Sequence, residues 1–222
     1  MAMPMPLHRS IPAWIYASFI SESGFMNRLS IRISAHLIGL IPLLWYASTL
    51  WRHGWPLDPV ASYIAASGTA ALQLLVASLA VTPVQRLSGR SALGVMRRPL
   101  GLYAFAYTMA HLLVYLMLDY AWNWSQISQN IFSKRHLIAG LLATLLFIPL
   151  ALTSTTGWQK RLGRWWKHLH RIVYGAAGLA VLHYVWLVKS DTRIPYLYAT
   201  IIGILLLMRL LPLRKVLHAQ SR

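Results

Sequence analysis

Six long apolar runs separated by short polar connections organise the chain, at about 33–51, 60–81, 100–118, 136–153, 169–188 and 195–212. Each approaches the roughly 20 residues that a helix needs to cross the hydrocarbon core of a bilayer. A backbone in lipid must satisfy its own hydrogen bonds, so such runs read as helices rather than open strands. The pattern predicts an all-α integral membrane protein, a six-helix transmembrane bundle. An earlier apolar stretch, "IPAWIYASFI" at 11–20, is too short to span and is expected at the membrane interface, anchored by Trp14 and Tyr16. It also lacks the A-x-A-like site of a cleavable signal. Pro42 and Pro149 fall inside apolar runs and predict kinks. No repeat of about 20–50 residues is evident. The expected organisation is an interfacial N-terminal segment (1–32), a six-helix membrane domain (33–212) and a basic tail (213–222).

The polar positions then give direction. The chain carries 21 Lys and Arg against 4 Asp and Glu, a formal net charge of +17. Sixteen of the cations lie in 1–32, the connection before the third run, the connection into the fifth, and the C-terminal end. The remaining five, Arg52, Lys134, Arg135, Lys189 and Arg193, fall at the opposite ends of the runs. The positive-inside rule puts the richer side in the cytoplasm, with both termini there. The third and fifth runs then both travel outward. The cations sit between apolar runs rather than along one face, which argues for membrane lipid and against nucleic acid as the partner. The absence of Cys excludes Cys-ligated iron–sulfur clusters, disulfides and covalent haem attachment through C-x-x-C-H.

Within the runs there are no carboxylates: Glu22 precedes the first, and Asp58, Asp119 and Asp191 sit at outer boundaries. Proton- or ion-coupled transport usually relies on intramembrane acids. What enters the membrane instead is histidine, at His36, His111, His170 and His183, with His136 at an outer edge. Neutral imidazole tolerates burial and is a good axial ligand for haem iron. His111 lies twelve residues past Pro99, about 18 Å along a helix, and His183 thirteen past His170, about 20 Å. On parallel helices His111 and His183 therefore share a depth in the outer half, while His170 is too far away to bind the same iron. Ideal helical phase would bring His168, rather than His170, onto the face of His183. For His36, His136 and His168, packing or hydrogen bonding is the simpler role. The small residues of "YGAAG" (174–178) suit either room for a porphyrin or close helix packing. "RRPLG" (97–101) sets two arginines at a helix start, where they either hold a phosphate or are ordinary cytoplasmic cations.

The stretches "RRPLGLYAFAYTMAHLLVYL" (97–116), "LALTSTTGWQKRLGRWWKHLHRIVY" (150–174) and "LHYVWLVK" (182–189) resemble the MsrQ, or YedZ, family. These are haem-binding membrane subunits of the bacterial periplasmic methionine sulfoxide reductase system, within the ferric-reductase-like transmembrane superfamily. The resemblance extends over about residues 30–212. It implies haem b and FMN as cofactors, haem-associated histidines at His111, His170 and His183, and a flavin-binding pair at Arg97 and Arg98. It also implies location in the bacterial inner membrane and electron delivery to MsrP, a periplasmic molybdopterin enzyme that repairs oxidised methionine. Where NADPH oxidases of the superfamily carry a second histidine on the third helix, this chain has Arg97 and Arg98, so an inner haem would need His170 plus another partner such as His36. No G-x-G-x-x-G or βαβ unit follows the last run, so a cytoplasmic flavin reductase or the quinol pool is expected to supply electrons.

The expected function is that of an electron-transfer subunit, with terminal substrate reduction by its partner. Two rivals use the same residues differently. A quinol-oxidising cytochrome b subunit of another periplasmic oxidoreductase would take electrons from quinol directly. A non-redox scaffold or transporter would use the histidines only for packing.

Overall fold

In the computed structural model, which describes residues 13–210 and side chains from 28 to 209, every regular element is helical. Helix α1 (Ala13–His53) is 41 residues long, about 60 Å at the usual rise. It absorbs the 11–20 stretch from Ala13 onward, because no proline separates that stretch from the first apolar run. The side chains of Trp14 and Tyr16, and the basic tail at 213–222, lie outside the described residues. Helix α2 (Pro59–Ser88) starts with Asp58 accepting the Ala61 N–H at 2.9 Å and Pro59 in its first turn. It ends at Gly89, whose φ of +69° is the left-handed cap that glycine adopts without strain.

A 3-10 turn (Ser91–Met96) leads into α3 (Arg97–Val114), which closes in a π-helical turn (Tyr115–Asp119). Helix α4 (Trp124–Ser133) is a short connection that the apolar runs did not predict. Helix α5 (Arg135–Leu152) follows, then α6 (Thr156–Leu162) and α7 (Arg164–Leu169) in the basic connection. A second 3-10 turn (His170–Ile172) precedes α8 (Val173–Leu187), and α9 (Arg193–Leu210) completes the described chain. The fifth predicted run thus begins its α-helix at Val173, and His170 sits in the turn before it.

Four segments, Arg28–His53, Pro59–Ser88, Ser91–Asp119 and Arg135–Leu152, are long and apolar enough to cross a membrane. Large apolar side chains such as Leu37, Ile41, Trp45, Leu142, Leu145 and Leu207 point outward. In water such a surface would aggregate; in lipid it costs nothing. The chain is a multi-pass membrane protein.

Helix α1 continues through Pro42, and a side chain of α3 reaches its backbone there. The Tyr107 hydroxyl donates to the Gly39 carbonyl at 3.1 Å and accepts the Leu43 N–H at 3.2 Å. The hydroxyl thus bridges two backbone groups one helical turn apart. Gly39 is required there, since a Cβ would overlap the Tyr103 ring. The site therefore ties α1 to α3.

Two antiparallel hairpins form the centre. Helix α2 packs most extensively on α3, and α5 on α8. The hairpins meet where α3 touches α5, α9 lies against α2 and α8, and α1 covers α3 and the first 3-10 turn. Leu79 and Leu100 are fully buried between them, with Ala104, Ala176 and Ala177 allowing close helix approach.

Candidate functional site

The two hairpins carry the same side-chain arrangement at the same register. In the first, the His111 Nδ1 lies 2.9 Å from the carbonyl oxygen of Ile64, 47 positions earlier on α2. In the second, the His183 Nδ1 lies 2.6 Å from the carbonyl oxygen of His136, again 47 positions earlier, on α5. Each ring also rests on a glycine: a Cβ at Gly68 would come within 3.0 Å of the His111 Nδ1, and one at Gly140 within 2.7 Å of the His183 Nδ1. Both glycines precede their histidine by 43 positions. The hairpins thus form an internal repeat with an offset of 72 residues, longer than the periods considered in the sequence. Such a parallel repeat builds a site at the contact between its halves.

A carbonyl only accepts, so each Nδ1 must carry the proton. The Nε2 of each ring then holds a lone pair, the tautomer required of a metal ligand. The rings face one another across the two hairpins, with centroids 6.2 Å apart and planes at 87°. Two imidazole–metal bonds of about 2 Å each, plus half of each ring, span that separation. The chemistry of the donors and their spacing both fit a single iron held between His111 and His183. Among the described residues there is no cluster of three or more His, Asp or Glu that would suit a different metal site.

The other histidines separate as follows. The His136 ring lies 6.0 Å from His183, but its contribution to the pair is the backbone carbonyl that fixes the ring. His168 stands beside Trp165 on the exposed face, not with His183, because the 3-10 turn at 170–172 shifts the helical phase assumed for an unbroken helix. His36 pairs with the Tyr103 hydroxyl at 3.3 Å and does not line the cavity that contains His170.

His170 lies at the other end of the bundle, as its sequence distance implies. The Thr153 hydroxyl donates to the Pro149 carbonyl at 2.6 Å, so its oxygen must accept from the His170 Nε2 at 3.1 Å. Trp166 stacks on the His170 ring at 4.0 Å and donates its indole N–H to the Thr153 carbonyl. The ring is thereby oriented with its Nε2 committed to protein. It borders a cavity of about 650 Å³ among α2, α3, α5, α8 and α9.

That cavity is cationic. Arg32, Arg97, Arg98, Lys167, Arg171 and Arg209 line it, and among the described residues no carboxylate does. Arg97 is held by Gln85 at 3.2 Å, and its carbonyl accepts the Ser78 hydroxyl at 2.9 Å. Arg98 is exposed and adds a second guanidinium at the entrance to α3. The sequence-predicted pair thus shares one cavity with His170. Gly68, Gly140 and Arg209 had not been singled out. The paired 43-residue Gly-to-His spacing is the sequence signal for the glycines; Arg209 has none, since it reads as one more terminal cation.

The match to known proteins follows the same ground. Residues 67–181 match the family model described as ferric reductase like transmembrane component. A protein of Xanthomonas axonopodis pv. citri, named protein-methionine-sulfoxide reductase heme-binding subunit MsrQ, is 44% identical over 177 residues, covering 77% of this chain and 81% of the relative. A protein of the same name from Xanthomonas campestris pv. campestris is 49% identical over 149 residues, 67% and 68% of the two chains. Another, from Rhodospirillum rubrum, is 41% identical over 182 residues, 82% and 88% of the two chains. No solved structure matches the chain significantly. By both the family model and these relatives, the chain belongs to the ferric-reductase-like transmembrane components and, among them, to the MsrQ family.

Proposed function

We propose that this chain is the haem-binding electron-transfer subunit of a methionine sulfoxide reductase system, a six-helix bundle in the bacterial inner membrane with both termini cytoplasmic. The paired imidazoles carry this reading: two rings fixed by the same carbonyl-and-glycine seat stand 6.2 Å apart, each with its Nε2 left for a ligand. Packing alone would not call for the same seat twice. The relatives' name supplies haem as the group and methionine sulfoxide reductase as the system.

In this reading His111 and His183 would hold the iron of one haem b. Bound haem and FMN supply the one-electron carriers, which the side chains of this protein lack. The Ile64 and His136 carbonyls hold the rings in the ligating tautomer. The apolar walls of α2, α3, α5 and α8 exclude water and lower the dielectric around the iron, which raises the influence of each fixed dipole on its potential. Arg97 and Arg98 hold the phosphate of FMN at the cytoplasmic cavity. The terminal acceptor is a periplasmic molybdopterin-containing reductase, MsrP, and the donor a cytoplasmic flavin reductase or the quinol pool.

Two substitutions divide the sites. Changing both Arg97 and Arg98 to Gln should lower the FMN recovered per purified chain while sparing the haem spectrum; full FMN retention would put the phosphate elsewhere. Changing His170 to Ala should leave the low-spin spectrum unaltered, because that ring lies about 20 Å from His183 along the chain axis. Loss of low-spin character in His170→Ala would make His170 a ligand and break the assigned pairing.

A further inference from the structure

The end of α9 holds a guanidinium that the flavin reading above does not use. Arg209 donates from Nη1 to the Tyr174 hydroxyl at 2.9 Å, and from Nη2 to the Thr82 hydroxyl at 2.7 Å and the Leu79 carbonyl at 3.2 Å. Its charge also lies over the Tyr174 ring, 5.2 Å from the centroid. All these acceptors are neutral. Its Nε–H is buried and has no acceptor among the described residues. A partly buried cation with neutral partners and one orphan donor lacks the counter-charge that normally accompanies burial. Arg209 borders the same cavity as Arg97, Arg98 and His170, where no carboxylate among the described residues provides that charge.

We infer that Arg209 is a third, fixed anchor for the phosphomonoester of the flavin nucleotide, resting on the flavin reading of this cavity. Arg97 and Arg98 are exposed at the entrance, so they collect the anion. Arg209 is already ordered by contacts from α2 and α8, so it loses little side-chain freedom when the anion arrives. The same contacts mean that the ligand secures α9 against both hairpins. The last helix thus contributes to selection of a phosphorylated flavin over its unphosphorylated form.

The test uses the purified full chain in detergent, titrated with FMN and with riboflavin, which differ by the phosphate. Wild type should prefer FMN. In Arg209→Gln that preference should narrow by roughly ten- to a hundredfold, the range for one charge-assisted hydrogen-bonded contact, with riboflavin affinity unchanged. Arg209→Lys keeps the charge and loses the fork, so an intermediate preference is expected. The low-spin haem spectrum reports folding of each variant. Equal weakening of FMN and riboflavin would make Arg209 purely structural and overturn the inference. So would an unchanged FMN preference in Arg209→Gln, with the flavin reading intact. If wild type binds neither compound, the flavin reading fails and this inference with it.

Discussion

Alanine at His111 or at His183 is expected to abolish the low-spin, six-coordinate haem spectrum of the purified protein. Each ring is oriented by its own backbone carbonyl, so removing one leaves the other ring poised but unpaired. The iron would then be five-coordinate or lost, since the chain has no Cys and the one described histidine ring beside the pair, His136, is poorly placed to replace the ligand. His136 is the nearest alternative, with its ring 6.0 Å from His183, but it lies on the α5 side and its carbonyl is bound to the ring it would have to oppose. Haem quantified per chain, together with the optical spectrum, reads both outcomes. An unaltered low-spin spectrum in either single variant would contradict the pairing.

The second large effect is expected at the glycines. In a helix Ala is favoured over Gly by about 1 kcal/mol, so Gly→Ala on α2 or α5 should stabilise the protein if nothing else changed. Here the opposite is expected. A methyl group at Gly140 would sit 2.7 Å from the His183 Nδ1, a contact that forces the ring off the His136 carbonyl. At Gly68 the corresponding distance is 3.0 Å to the His111 Nδ1, tight but within reach of a small shift. Partners that orient a metal-bound histidine typically contribute about 10–100-fold to metal affinity. Gly140→Ala should therefore lose haem affinity toward the upper part of that range and shift the midpoint potential, with Gly68→Ala following more weakly. Haem titration and potentiometry of the two variants supply the ranking. Equal, unperturbed potentials in both would remove any positioning role for these seats.

The histidine depths were legible in the sequence because helical rise converts residue number into distance. His111 and His183 come together, and His170 lies far from both. Phase was less legible. It depends on unbroken helix, and the turn at His170–Ile172 altered it, so His168 faces outward beside Trp165. The seats were hidden for a different reason. Glycine on an apolar helix signals close packing without saying what approaches, and a backbone carbonyl leaves no trace in side-chain chemistry. Only with α2 beside α3 and α5 beside α8 does the shared spacing of 47 positions between each ring and its carbonyl appear. The short helices α4 and α6 were missed because they lie in connections below the length that apolar runs reveal. Arg97 and Arg98 were recognisable as cations at a helix entry; that Arg209 joins them depends on how α9 packs back onto α2 and α8.

His111 and His183 are proposed to hold one haem b jointly between two repeated helix hairpins. The most direct measurement is the oxidised and reduced optical spectrum of wild type and of the His111→Ala/His183→Ala double variant, both purified after haem-replete expression, with haem quantified per chain. Wild type is expected to give a low-spin bis-histidine spectrum, and the double variant none. A wild-type protein without a Soret band, or a double variant that keeps the wild-type low-spin spectrum, would contradict the pairing.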